Sequence, residues 1–166
     1  MKPNEFGAAE WIAHLSLRPH PEGGHFAQSY RAADRVALGG NRAGPRNLMT
    51  AIYYLLESGE FSAFHRLRAP ELWLFHDGDA LCVHELGAGG VQSHRVGPRP
   101  QDGDRLALIV PAETWFASEV APGGRFGLVT CVVTPGFEYE DFELAERQSL
   151  IARYPASRPC IERLTR

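Results

Sequence analysis

The stretch Phe61–Gly78, FSAFHRLRAPELWLFHDG, decides how the rest of the chain is interpreted. Under strand alternation, His65 lies on an apolar face before a proline break, and Glu71 shares a face with Trp73 and Phe75 after it. An imidazole and a carboxylate among apolar and aromatic side chains need hydrogen-bonding partners, because an unpaired buried charge is strongly unfavourable. The stretch therefore predicts a functional site.

The same stretch resembles the first conserved motif of the cupin superfamily. His65, Glu71 and Gly78 stand at the spacing of that motif, whereas Leu67 occupies the place of its second histidine. In the stretch that resembles the second cupin motif, Phe116 replaces a histidine. Two of the four metal ligands that many cupins use are therefore absent.

Five blocks in order are similar to the signature of a narrower cupin-like family, domain of unknown function 985. The blocks are HPEGG at 20–24 with Tyr30-Arg31, TAIYYLL at 50–56, HRL at 65–67 with ELW at 71–73, VPA at 110–112 with WFA at 115–117, and PGFE at 135–138 with DFE at 141–143. The resemblance implies a mainly β fold, a double-stranded β-helix or jelly-roll barrel, with a helix at each end. We expect one domain over 1–166, with its barrel core at about 20–135 and its helices at about 5–15 and 142–153.

The residues favour the same fold class independently. Many short β-branched and aromatic runs, separated by Gly and Pro turns at roughly ten-residue spacing, are typical of a β-sandwich or barrel. Leu48 to Leu67 forms a candidate hairpin, and Asp141 can cap the helix from Phe142 to Arg153. A chain of 166 residues, 44% hydrophobic, fits one globular domain.

Composition argues against several classes of partner. The net charge is −3 and basic residues are not clustered, so no nucleic-acid face is expected. No apolar run approaches the ~20 residues of a membrane span, and no N-terminal apolar segment resembles a signal peptide. Three cysteines without a C-x-x-C spacing are typical of a reducing compartment, and we expect a cytoplasmic protein. The cupin resemblance implies a homodimer.

We predict that His65 acts as a general base and that Glu71 orients it. Imidazole titrates near neutral pH, and a nearby carboxylate raises its basicity. Either Tyr53 or Tyr54, whichever faces inward, is a candidate acid. The side chains expected to bind the ligand are Tyr54, Trp73, Phe75, Trp115, Phe116 and, at the barrel mouth, Glu22.

These residues leave three functions open. We favour a metal-independent cupin that binds a small polar ligand, a sugar or nucleotide derivative, and isomerises or epimerises it. A binding or sensor module without catalysis is the second hypothesis. A metal-dependent enzyme is the third; no cofactor is expected, but His65 and Glu71 would be the ligands of any metal. A purely structural His–Glu hydrogen bond is the alternative to all three.

Overall fold

The computed structural model describes residues 6–39 and 44–166. β-Strands are their main secondary structure, as the sequence predicts. The strands are β1 Arg18–Pro19, β2 His25–Arg31, β3 Arg35–Val36, β4 Arg46–Asn47, β5 Thr50–Glu57, β6 Phe61–Leu67, β7 Glu71–Gly78, β8 Leu81–Gly87, β9 Gly90–Val96, β10 Asp104–Arg105, β11 Ala107–Val110, β12 Phe116–Val120, β13 Phe126–Val133 and β14 Phe142–Leu144. The α-helices are α1 Ala8–His14, α2 Arg147–Arg153 and α3 Arg158–Arg163.

Two six-stranded sheets face each other. Their strand orders are β1-β2-β5-β13-β7-β11 in the first sheet and β10-β9-β8-β12-β6-β14 in the second. From β5 to β8 each successive strand changes sheet, so the chain winds around the interior. This is the double-stranded β-helix that was expected, and it brings residues far apart in sequence to the same interior space.

The hairpin predicted for residues 48–67 is wrong. β5 pairs with β2 and β13 in the first sheet, whereas β6 pairs with β12 and β14 in the second. The turn between β5 and β6 therefore crosses from one sheet to the other. Consequently His65 on β6 and Glu71 on β7 approach from opposite walls of the barrel, and not from neighbouring strands of one sheet.

Apolar side chains form four clusters among the described residues, and three of them lie against the faces of the two large sheets. The interior cluster between the sheets includes Trp73, Phe116 and Val129. A second cluster on the outer face of the second sheet is covered by α2 and α3 and includes Phe64 and Trp115. A third lies under α1, where Trp11 Nε1 also donates a hydrogen bond to Asp77 Oδ2 at 2.7 Å.

The helices differ in detail from their predicted bounds. α1 lies within the predicted range, although residue 5 is outside the described residues. The C-terminal helix begins at Arg147, where Glu146 accepts hydrogen bonds from two backbone N–H groups as the N-cap. Residues 142–144 form strand β14, and Asp141 is bound to Arg46 and does not cap the helix. Among the described residues, no helix has the length and apolarity required to cross a bilayer.

Candidate functional site

A cavity of about 210 Å³ opens at one end of the barrel. Its inner wall is formed by side chains that alternate inward on β5, β13 and β7 of the first sheet, with β6 opposite. Its titratable side chains include those of His65, Glu71 and Tyr54, together with His20 and Glu22 from the loop between β1 and β2. Five groups that can hold or transfer protons therefore share one small space.

Glu22 enters the cavity because the two glycines after it let the chain approach β6 closely. Gly23 and Gly24 have φ angles of +115° and +70°, and a Cβ at Gly23 would lie 2.0 Å from the Phe61 carbonyl oxygen. Only glycine fits such a contact and conformation. The backbone oxygen of Glu22 accepts hydrogen bonds from Ala63 N–H at 2.9 Å and from Arg166 Nη2 at 3.2 Å. The loop is thereby fastened to β6 and to the last residue of the chain.

Both oxygens of the Glu22 carboxylate have partners on β6. Ser62 Oγ donates to Oε1 at 2.9 Å, and His65 Nε2 lies 3.2 Å from Oε2. Ser62 and His65 share a face because β6 contains a bulge. Ser118 pairs with Ser62 and Phe116 pairs with His65, so three steps on β6 face two steps on β12.

The proton positions of this pair follow from its hydrogen bonds. His65 Nδ1 lies 2.7 Å from the carbonyl oxygen of Ala63, which can only accept, so Nδ1 carries a hydrogen. The 3.2 Å contact between Nε2 and Glu22 Oε2 is then attractive only if a proton lies between them. His65 and Glu22 form a proton-sharing unit, and the oxygens of Glu22 are its remaining basic atoms.

Glu71 stands in a different environment, on β7 in the opposite sheet. Burial, with a further contribution from the charge of Glu22, raises the pKa of Glu71 to about 8. Its Oε2 accepts one hydrogen bond, from Trp73 Nε1 at 3.0 Å, which opposes the rise. At neutral pH Glu71 is therefore mostly a neutral carboxylic acid with a proton to donate.

His20 and Tyr54 complete the polar set. Burial lowers the pKa of His20, against the influence of Glu22, and its Nδ1 accepts from the backbone N–H of Glu22 at 3.2 Å. This imidazole is therefore neutral. Tyr54 faces inward, which answers the question left open between the two tyrosines; its hydroxyl donates to the Gly23 carbonyl at 2.7 Å, and burial raises its pKa well above the usual value.

The segment 137–142 covers part of the cavity mouth. Phe137, Tyr139 and Phe142 line the opening. Two ion pairs hold the segment down: Glu138 accepts from Arg31 Nη1 at 2.7 Å, and the buried Asp141 accepts from Arg46 at 2.7 and 3.1 Å. The mouth is therefore aromatic, with the guanidinium groups of Arg18 and Arg31 among its lining.

The structure separates the residues that the sequence grouped together as ligand-binding. Glu22 and Tyr54 line the cavity, as do the two predicted catalytic residues, His65 and Glu71. Within the described residues, however, the carboxylate in contact with His65 belongs to Glu22. The predicted pairing of His65 with Glu71 is therefore wrong. The two residues lie on different sheets, and each has its own partner.

The predicted aromatic wall also needs correction. Trp73 and Phe116 lie one layer beneath the cavity in the interior cluster, with the Phe116 ring 4.2 Å from that of His65, and Phe75 packs against the same cluster. Trp115 is on the other side of the second sheet, under the C-terminal helices and beside Arg66. Strand alternation explains this split, because Trp115 and Phe116 are consecutive and point to opposite faces.

Sequence reasoning missed His20, Ser62 and the aromatic side chains of 137–142 as parts of the site. The paired glycines after Glu22 were the available signal, since they indicate a close backbone approach that would bury the preceding residues. Ser62 carried no such signal, because strict alternation places it on the face opposite His65.

The donor atoms of the cavity decide whether the barrel can hold a metal ion, as the barrels of many cupins do. A catalytic metal centre generally needs three protein ligands converging on one point. In the described part of the chain, the ligand atoms of the cavity residues do not form a group of three within 4.8 Å, and Leu67 and Phe116 occupy two ligand positions. The residues present do not fit a barrel metal centre.

Comparisons with known proteins agree with this architecture. A family model described as Cupin superfamily (DUF985) matches residues 9–145. A hypothetical protein from Leishmania major is 32% identical with a TM-score of 0.90, covering 96% of this chain and 99% of its own. A protein from Shewanella oneidensis is 36% identical with a TM-score of 0.86, covering 97% and 98%.

A more distant likeness concerns the fold alone. An uncharacterised Klebsiella pneumoniae protein with a double-stranded β-helix domain is 15% identical with a TM-score of 0.51, over 86% of this chain and 97% of its own. Among curated proteins, none matches this chain.

Proposed function

Because the chain belongs to the DUF985 family of the cupin superfamily, we propose that its barrel cavity binds a small polar ligand, a sugar or nucleotide derivative, and moves a proton on it without a metal ion. One observation carries the proposal: a basic unit, Glu22 with His65, and a neutral acid, Glu71, face the same cavity from opposite walls. Titratable groups whose surroundings assign them opposite protonation states are typical of acid–base catalysis.

The proposed chemistry is isomerisation or epimerisation next to a carbonyl group. A Glu22 oxygen takes the proton from the carbon beside the carbonyl, and His65 stabilises the carboxylate through their shared proton. Glu71 gives its proton to the carbonyl oxygen, so that an enediol forms with no net change in charge on the ligand. Glu22 then returns its proton to either carbon, and Glu71 takes back a hydroxyl proton of the enediol, which forms the product carbonyl and restores both groups. The sequence placed the base at His65; the hydrogen bond from Nδ1 to Ala63 favours Glu22 as the accepting group.

Cavity size limits the part of the ligand that enters. Ligand pockets for drug-sized molecules are typically about 300–1,000 Å³. The cavity here is about 210 Å³, which suits a single sugar ring or a small keto acid. A larger substituent such as a nucleotide would extend through the aromatic mouth past Tyr139 and Arg31.

Solvent deuterium incorporation tests the chemistry without knowledge of the natural substrate. Aldose and ketose phosphates and keto sugars are incubated with the protein in D₂O, and exchange at the carbon beside the carbonyl is followed by NMR. Glu22→Gln keeps the shape of the side chain and an acceptor for Ser62 but removes the basic oxygen, and exchange should fall ~100- to 10,000-fold.

The matched control is His76→Gln. His76 is an exposed imidazole of β7 bonded to Thr130, away from the cavity lining, and its substitution should leave exchange unchanged. Equal exchange by wild type and Glu22→Gln would contradict the acid–base assignment.

A binding module without catalysis is the second candidate. It is favoured by the full set of partners around Glu22, since a carboxylate already held by Ser62 and His65 is suited to accept a hydrogen bond from a ligand hydroxyl in a fixed position. A bound ligand at 100 times its dissociation constant should stabilise the protein by about 2.7 kcal/mol. Thermal stabilisation by the same probe sugars, with no deuterium exchange, would favour this candidate.

A further inference from the structure

A second group of potential ligands lies outside the barrel, at the turn between β5 and β6. Glu57 ends β5, Glu60 precedes β6, and His25 begins β2 beside them. One ligand atom from each of these three residues lies within 4.8 Å of the others. The cavity lining does not include any of the three, so the group is separate from the proposed catalytic unit.

The turn holds the two carboxylates in a defined arrangement. Glu60 N–H donates to the Glu57 carbonyl at 3.0 Å, and Glu57 N–H donates to Glu60 Oε2 at 3.0 Å. Gly59 takes a φ of +89°, which closes the turn tightly. The Glu60 carboxylate is therefore held by a main-chain hydrogen bond before any ligand is added, and the tight turn keeps Glu57 beside it.

The imidazole of His25 supplies a second, independent observation. Within the described residues, its Nδ1 is buried and has no hydrogen-bond partner. The nearest carboxylate oxygen, Glu60 Oε2, is 3.9 Å away, which is too long for a hydrogen bond. A buried polar nitrogen without a partner calls for an explanation, and an ion is one of the usual ones.

We propose that His25, Glu57 and Glu60 bind one divalent transition-metal cation of the Zn²⁺ type, with water completing the coordination. One imidazole and two carboxylates are a donor set that such cations accept. Ligand atoms around tetrahedral zinc are roughly 3.3 Å apart, so the three side chains draw closer together on binding. The ion also satisfies His25 Nδ1 and offsets the repulsion between the two carboxylates.

Isothermal titration of EDTA-treated protein with ZnCl₂ tests the proposal. Wild type should bind one equivalent through this site. His25→Ala and Glu60→Gln should each weaken that binding by at least the ~10- to 100-fold that outer-shell substitutions cost at metal sites. Glu60→Gln is the cleaner variant, because the amide oxygen can still accept from Glu57 N–H and keep the turn folded. Circular dichroism of the metal-free variants verifies that both are folded.

Two further variants locate the ion. His76→Ala removes an exposed imidazole elsewhere on the first sheet and should leave binding intact. His65→Gln removes the cavity imidazole and should also leave it intact. Absence of a stoichiometric site, equal binding by Glu60→Gln and wild type, or loss of the site in His65→Gln would each overturn the proposal. If Glu60→Gln weakens binding and His65→Gln does not, zinc in the purified protein belongs to the outer turn, and the proposal of a metal-free cavity is unaffected.

Discussion

The Glu22 loop and strand β7 each place one carboxyl group in the same cavity, and the environments of the two groups have opposite effects. Glu22 has a hydroxyl donor on one oxygen and an imidazole on the other, at 2.9 and 3.2 Å. Glu71 has one indole N–H at 3.0 Å and is otherwise surrounded by the buried interior. The first arrangement stabilises a carboxylate, whereas the second favours the protonated acid.

The difference shows how a fold can separate an acid from a base without changing residue type. Burial, with a smaller contribution from the charge of Glu22, raises the pKa of Glu71 to about 8. The two groups are therefore coupled: the ionised state of one favours the neutral state of the other. Three substitutions test this contrast.

The largest effect is expected from Glu71→Gln. A carboxyl with a pKa of 4.5 when unfolded and about 8 when folded holds a proton only in the folded state between those values. The contribution of Glu71 to the free energy of unfolding is therefore complete below pH 4.5. It is lost as the pH rises from 4.5 to about 8, by about 1.4 kcal/mol per pH unit and about 5 kcal/mol in total. Glu71→Gln should remove this loss, so its stability relative to wild type should increase between pH 5 and pH 9.

Urea unfolding at pH 5, 7 and 9 measures the effect. Glu162→Gln, an exposed carboxylate of α3 paired with Arg158, is the control and should follow the wild-type pH profile. Parallel profiles for wild type and Glu71→Gln would show that Glu71 titrates as an ordinary carboxyl.

A smaller effect is expected from Ser62→Ala. The substitution removes the hydroxyl that donates to Glu22 Oε1, and hydrogen bonds to charged groups contribute about 1.5–3 kcal/mol. Its cross-strand partner Ser118 is equally buried, but its hydroxyl has no partner among the described residues. Ser118→Ala should therefore leave stability unchanged or raise it. Equal losses in chemical denaturation of the two variants would mean that the Ser62 contact does not stabilise Glu22.

The smallest effect is expected from Trp73→Phe. The indole N–H is the one contribution that lowers the pKa of Glu71, so its removal should raise that pKa above about 8. A ¹³C-carboxyl NMR titration measures the shift. Trp115→Phe removes another buried indole N–H, in the cluster beneath the helices, and should leave the Glu71 titration in place. A lower pKa in Trp73→Phe would contradict this account of the hydrogen bond.

Sequence reasoning predicted the class of fold and part of the site. Short strands between Gly and Pro turns indicated the barrel, and the spacing of His65 and Glu71 placed both in its interior. The hairpin at 48–67 was wrong because local pattern cannot tell a turn within one sheet from a turn that crosses to the other. The prediction that the aromatic side chains line one cavity was wrong for a related reason: Trp115 and Phe116 belong to different layers.

Side-chain alternation and the Gly and Pro turns between strands are local properties, and they suffice to indicate a β-barrel with an imidazole and a carboxyl inside it. The partner of His65 is a long-range property. It depends on a bulge in β6 that turns Ser62 to the same face, and on a loop some 40 residues earlier that packs against that strand. The protonation of Glu71 depends likewise on how completely other segments exclude water from it. Burial and pairing arise only when distant parts of the chain meet, and for that reason the folded structure alone distinguishes the acid from the base.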